Sequence, residues 1–155
     1  MGKKKAKNRI WRRTDSGTVA IEFGLLVPVL LALIGITAEL GFAMYESMQV
    51  NNAVGSGALY AAKNGYDASG ISAAVTGATG TPGITATPAP TQFCGCPGAS
   101  GITVTTCLSP PPCTDGSRPG RYVRINASLS HQTILPNVGL PLPATLTAHS
   151  IVRLD

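Results

Sequence analysis

A basic head followed at once by a long apolar stretch constrains this chain more than any other feature. Seven of its 12 Lys+Arg residues fall in the first 13 positions: Lys3, Lys4, Lys5, Lys7, Arg9, Arg12 and Arg13. From Phe23 to Ala38 run 16 residues without a charge, bracketed by Glu22 and Glu39. At about 1.5 Å per residue that run is roughly 24 Å, short of a ~30 Å hydrocarbon core. A spanning helix must therefore also use Thr18–Ile21 and Leu40–Tyr45. Both glutamates then lie roughly 12–14 Å from the centre of the span, near the headgroups. A carboxylate there costs far less than the ~2.5–3.5 kcal/mol of mid-bilayer.

A secretory signal peptide also opens on a basic region and an apolar stretch, but it closes on a small-x-small site and a polar mature start. Neither is visible here. Arg12-Arg13 lacks the apolar residues expected just after a twin-arginine pair and belongs to the charge cluster. A buried core helix is disfavoured because aromatics are only 5% of the chain and offer little core around it. The expectation is one transmembrane helix with its N-terminus in the cytoplasm and the remainder outside, since the basic residues precede the span.

Charged residues are only 12% of the 155, and the formal net charge of +5 is concentrated in the head. A DNA-binding domain spreads its basic residues over a folded face with aromatics among them, so no nucleic-acid partner is expected. No nucleophile–base pair, metal set or phosphate loop is visible, and His131 and His149 stand apart from any Ser or Cys motif. No enzyme activity, cofactor or metal is expected. Cys94, Cys96, Cys107 and Cys113 lie on the oxidising side of the predicted membrane and are disulfide candidates. Cys94-Gly-Cys96 closes on itself poorly, which favours pairing to Cys107 and Cys113, but four cysteines allow three connectivities and the spacing does not choose. C-x-C-x10-C-x5-C is a poor zinc spacing, and no C-x-x-C redox pair is present.

Helical pattern continues from Glu46 to about Lys63, where Asn64-Gly65 supplies a stop. A helix from Val19 to Lys63 would be roughly 68 Å long at the standard rise, a stalk rather than part of a small globule. Ala53, Gly57 and Ala61 form a smooth stripe at i, i+4, i+8, expected to pack on the protein's own sheet rather than in a groove between subunits. Residues 67–77 could form a short second helix, and 78–100 read as a Gly/Pro/Thr/Ala-rich loop. Three runs then alternate at period two: Ile102, Val104, Thr106, Leu108; Val123, Ile125, Ala127, Leu129; and Leu146, Ala148, Ser150, Val152, Leu154. The fold expected is α+β and pilin-like, a long N-terminal transmembrane helix followed by a small antiparallel sheet domain. Its parts are a basic leader (1–17), the transmembrane helix (18–45), its extracytoplasmic continuation (46–65), a short helix and loop (66–100) and a disulfide-stapled β domain (101–155).

The most informative stretch is Ser16-Gly17-Thr18-Val19-Ala20-Ile21-Glu22-Phe23. A short basic leader ends in Gly, and a Glu follows as the fifth residue, at the head of the apolar helix. The pattern resembles that of type IV prepilins, which a membrane prepilin peptidase cuts after the Gly. With Gly24, Pro28, Glu39-Leu40-Gly41 and Ala58-Leu59-Tyr60-Ala61-Ala62, residues 12–64 resemble the TadE-like assembly proteins of the tight-adherence (Flp) pilus. Phe42 departs from that family, whose members often carry a basic residue there. The resemblance implies that Gly17 precedes the cut, Thr18 becomes the new N-terminus, and Glu22, beside Phe23, is the assembly glutamate. It implies a minor pilin or pseudopilin of the bacterial inner membrane. Its partners would be a prepilin peptidase, other Tad pseudopilins, the major Flp pilin and inner-membrane lipid. The competing reading is an uncleaved single-pass anchor presenting an adhesin or sensor module. Glu39 is expected as a solvated or interfacial residue ending the span, and Pro28 is expected to kink the helix. Loss of 1–17 would leave five basic and six acidic side chains, a net of −1, so the basic balance reads as a topology and processing signal.

Overall fold

The computed structural model of the chain describes residues 16–108, 111–134 and 141–154. The basic leader through Asp15 lies outside the described residues. The elements run α1 (Ser16–Asn64), α2 (Ala68–Gly77), β1 (Thr91–Gly98), β2 (Gly101–Thr105), β3 (Gly120–Ser130) and β4 (Thr145–Leu154). The four strands form one antiparallel sheet in the order β2-β1-β3-β4. The chain divides into two compact units, Met1–Thr37 and Ala38–Asp155. The α+β fold of a long apolar N-terminal helix and a small antiparallel sheet is the one expected.

Within the first unit α1 runs through Pro28, with helical residues on both sides of it. The side chains along it are apolar and exposed, among them Phe23, Leu25, Leu26, Leu30 and Leu33. Thr37, the last residue of this unit, turns its hydroxyl back onto Ile34 O (2.8 Å) and Leu33 O (3.1 Å). The polar group is satisfied inside the helix, as lipid surroundings would require.

The second unit is built around the later turns of α1. Val50, Ala53, Val54 and Ala61 pack with Ile71 and Val75 of α2 and with Val123, Ile125, Ala127 and Leu129 of β3. The last four are the alternate residues expected to share one face. Each large aliphatic side chain fully buried here stabilises by about 1.5–3 kcal/mol. Ala53, Gly57 and Ala61 face this core, so the small-residue stripe packs on the protein's own domain. Gly57 lies tight against it: a Cβ built on it would stand 2.6 Å from Val75 Cγ2 and 3.1 Å from Ile125 Cγ2. α1 stops where Asn64-Gly65 signals it. Gly65 takes φ +80°, and its N–H donates to Ala61 O at 2.9 Å, a left-handed cap. α2 starts on Asp67, whose carboxylate accepts from Ser69 N (3.1 Å) and Ser69 Oγ (2.7 Å). Those bonds, Ser69 first, hold the Asp67 carboxyl below the usual carboxylate range.

Two sequence expectations need correction. The stretch read as loop, 78–100, contains β1, an inner strand paired on one side to β2 and on the other to β3. Gly95 and Pro97 hide its alternation. Gly95 is required because a Cβ there would stand 2.5 Å from Ile102 Cγ2 and 2.8 Å from Thr103 O. The sheet therefore begins at Thr91, ahead of the boundary placed at 101, and two of the four cysteines lie in that first strand. The second correction concerns the Ile102–Leu108 run. β2 ends at Thr105, and Val104 on that face is 61% exposed. The chain leaves the sheet because Cys107 turns to meet Cys94. The pairs are Cys94–Cys107 and Cys96–Cys113, one of the three arrangements the spacing left open. Cys94 and Cys96 share one face of β1, so both bridges hold the chain after β2 against the same side of the hairpin.

Candidate functional site

Gly17, Thr18, Glu22 and Phe23 all lie in the first turns of α1. Positions 18 and 22 are one turn apart and so share a helix face. Glu22 is exposed, and its neighbours Ile21, Phe23, Leu25 and Leu26 are exposed and apolar. From Ser16 to Thr37 Glu22 is the one ionisable residue in the sequence. Nothing inside this segment can neutralise it. To stay ionised in an apolar setting such a carboxylate needs a cation from outside the segment, because burying an uncompensated charge is expensive. Gly17 is also exposed, with nothing within 4 Å of a Cβ built on it, so the backbone around the glycine is open to another molecule.

The second unit holds a polar cluster that the sequence did not announce. Glu39, expected at a solvated or interfacial position, is 2% exposed. Its carboxylate oxygens accept from Ile134 N at 3.0 and 3.1 Å, and Oε1 lies 3.8 Å from His131 Nε2. On the other side of the ring His131 Nδ1 donates to Glu46 Oε2 at 2.5 Å. Glu39 and Glu46 stand two turns apart on α1 and clasp the segment leaving β3 between them. Burial follows from packing: Ala43 between them and Val50 above are both buried in the same stripe. Glu39 is thus a structural clasp of the sheet domain, and its carboxylate is occupied inside its own chain. Helix spacing alone could have placed Glu39 on the inward face, though not named its partners. Glu39, Ala43, Glu46, Val50, Ala53, Gly57 and Ala61 follow one another at intervals of three or four, the inward seam of a helix.

The sheet carries a different cluster on the face turned away from the helix. Phe93 and Tyr122 stack with centroids 5.7 Å apart, and the Arg124 guanidinium stands 5.5 Å from the Phe93 centroid. Arg153 lies beside them, against Gly120 and Tyr122.

Residues 17–59 match the family model described as TadE-like protein. No curated protein and no solved structure matches the chain. The matched span opens on Gly17, contains Glu22, Glu39 and Glu46, and reaches into the stripe that carries the sheet domain. It lies almost wholly within Val19–Asn64, a helix long and apolar enough to cross a membrane. The match suggests involvement in Tad pilus assembly, and the apolar helix is consistent with a membrane association. Residues 17–59, with the glycine–glutamate motif at their head, are similar to the TadE-like proteins.

Proposed function

We propose that this protein is a minor pilin or pseudopilin that helps build a tight-adherence pilus and is cut after Gly17 by a prepilin peptidase. The observation that carries the reading is Glu22, an exposed carboxylate alone on an apolar helix, one turn from the amine that cleavage would create on Thr18. In a bundle of such helices the carboxylate of one subunit neutralises the new amine of a neighbour. A register that leaves either charge unpaired is penalised by several kcal/mol, so the pair fixes the axial step between subunits. Its partners are the peptidase, the other Tad pseudopilins, the major Flp pilin and inner-membrane lipid.

The N-terminus faces the cytoplasm and the sheet domain lies outside it, as the basic residues before the span require. The membrane segment runs from about Thr18 to Thr37, because Glu39 is already packed under the sheet domain. That segment is roughly 30 Å at the helical rise, matching a hydrocarbon core. The protein acts without catalysis of its own. Two substitutions test the reading. Glu22→Ala should abolish or strongly reduce surface pili while leaving the protein level in the membrane intact, whereas Gly17→Ala should leave the precursor uncut. Normal piliation from the Glu22→Ala protein would favour an uncleaved anchor presenting a binding module.

A further inference from the structure

We infer that β4 is a receiving edge for an extended segment of another protein, in which small apolar side chains alternate with acidic ones.

β4 closes the sheet, and among the described residues nothing pairs with its outer edge. Its register with β3 is unbroken over ten residues, from Thr145 opposite Ser130 to Leu154 opposite Arg121, with no bulge to twist the edge away. It contains no proline and no lysine, and its one charged residue is Arg153. Edge strands are ordinarily blunted by such devices, because their free N–H and C=O groups template further strands. The opposite edge, β2, is only five residues long and runs into the disulfide-bridged loop. The fold protects one edge and leaves the other open.

The two faces beside that edge differ, and they set the chemistry of the occupant. On the helix side a groove lies between Val152 and α1, lined by Gly55, Ala58, Leu59 and Ala62 with Asn51 and Ser56 at its rim. Every second residue of an added strand points into it, and small apolar side chains fit there. The intervening residues point to the other face, where Arg153 and Arg124 lie against the Phe93–Tyr122 pair. Neither arginine makes a salt bridge among the described residues. Arg124 stands over the Phe93 ring and Arg153 lies opposite Tyr122 beside Gly120, so both guanidinium groups are placed to accept two-pronged acidic partners.

The wider charge pattern points the same way. After position 90 the sequence has four arginines (Arg118, Arg121, Arg124, Arg153) against Asp115 and Asp155. A second copy of this chain is a poor donor, since none of β1–β4 contains an acidic residue. Anionic lipid is also a poor occupant, since it offers no strand to the free main-chain groups of the β4 edge. Strand addition supplies affinity through main-chain bonds and specificity through alternate side chains, as edge-binding domains do.

The test uses the full chain in detergent micelles and a labelled, end-blocked ten-residue peptide of alternating valine and glutamate, followed by fluorescence anisotropy. The peptide should bind, the β4 amides that face outward should gain exchange protection, and added salt should weaken the complex. A valine–lysine peptide should bind at least about tenfold more weakly, and Arg153→Glu should weaken the valine–glutamate peptide about five- to tenfold. Methylating the peptide nitrogens along one edge should abolish binding while leaving its charge unchanged, which keeps the test decisive if the Arg153 variant misfolds. Equal binding of the lysine peptide, undiminished binding of the N-methylated one, or no binding of any peptide overturns the proposal. So does self-association of the chain through β4 at the concentrations used. None of these arms depends on cleavage at Gly17.

Discussion

Removing the Glu39 side chain should loosen the sheet domain without touching its hydrophobic core. In Glu39→Ala the part-buried N–H of Ile134 loses both oxygens it now donates to, at 3.0 and 3.1 Å. His131 keeps Glu46 on Nδ1 but loses the carboxylate 3.8 Å from Nε2, an atom with no other partner among the described residues. Leaving a donor of this kind unmet costs about 1–3 kcal/mol. For a unit of this size that is a fall in melting temperature of roughly 4–12 °C. Glu39→Gln retains one acceptor oxygen and should lose less than half as much. Near-UV circular dichroism in detergent follows the melt through the packed aromatics of the sheet. Hydrogen exchange at the Ile134 amide reports the bond itself and should speed up in Glu39→Ala. An alanine variant that melts with the wild type and exchanges Ile134 no faster would refute the clasp and return Glu39 to solvent.

Four further substitutions have defined outcomes. Gly57→Ala should destabilise by about 1–3 kcal/mol, because its Cβ meets Val75 and Ile125. Gly55→Ala, on the open side of the same helix, should instead gain up to about 1 kcal/mol of helix propensity, and thermal melts of the pair check both signs. Cys107→Ser opens the Cys94–Cys107 loop and should cost about 3 kcal/mol, read as an earlier urea midpoint and faster proteolysis after β2. Asp67 has its folded-state value depressed by Ser69, so its support for α2 is complete above about pH 4. That support fades as the pH falls through the depressed value, and Asp67→Asn should flatten this acid limb of a pH–stability profile.

Much of this molecule was legible before its structure because its strongest signals are periodic or local. The apolar run, the Asn64-Gly65 stop and the β3 alternation each act through neighbouring residues, and each produced the expected element. β1 was hidden because Gly95 and Pro97 break its pattern, and its strand character comes from partners on both sides and from bridges to Cys107 and Cys113. The Val104 alternation misled for the opposite reason: a strand at a sheet edge can alternate without burying either face. Glu39 was misjudged because a carboxylate after an apolar run ordinarily marks an interface. Its true neighbours, His131 and Ile134, lie more than ninety residues away in sequence, and no local reading reaches them. The motif at Gly17–Phe23 stood out because a glycine and a lone carboxylate interrupt the head of an apolar helix, and the family match begins on its first glycine.

Intact-mass spectrometry of the protein, extracted from the membrane of a host that makes the prepilin peptidase, decides whether the chain is cut after Gly17. A mature species beginning at Thr18, with residues 1–17 lost, is expected, together with an uncut precursor from the Gly17→Ala variant. A full-length species beginning at Met1 or Gly2 in the presence of active peptidase would contradict this cleavage.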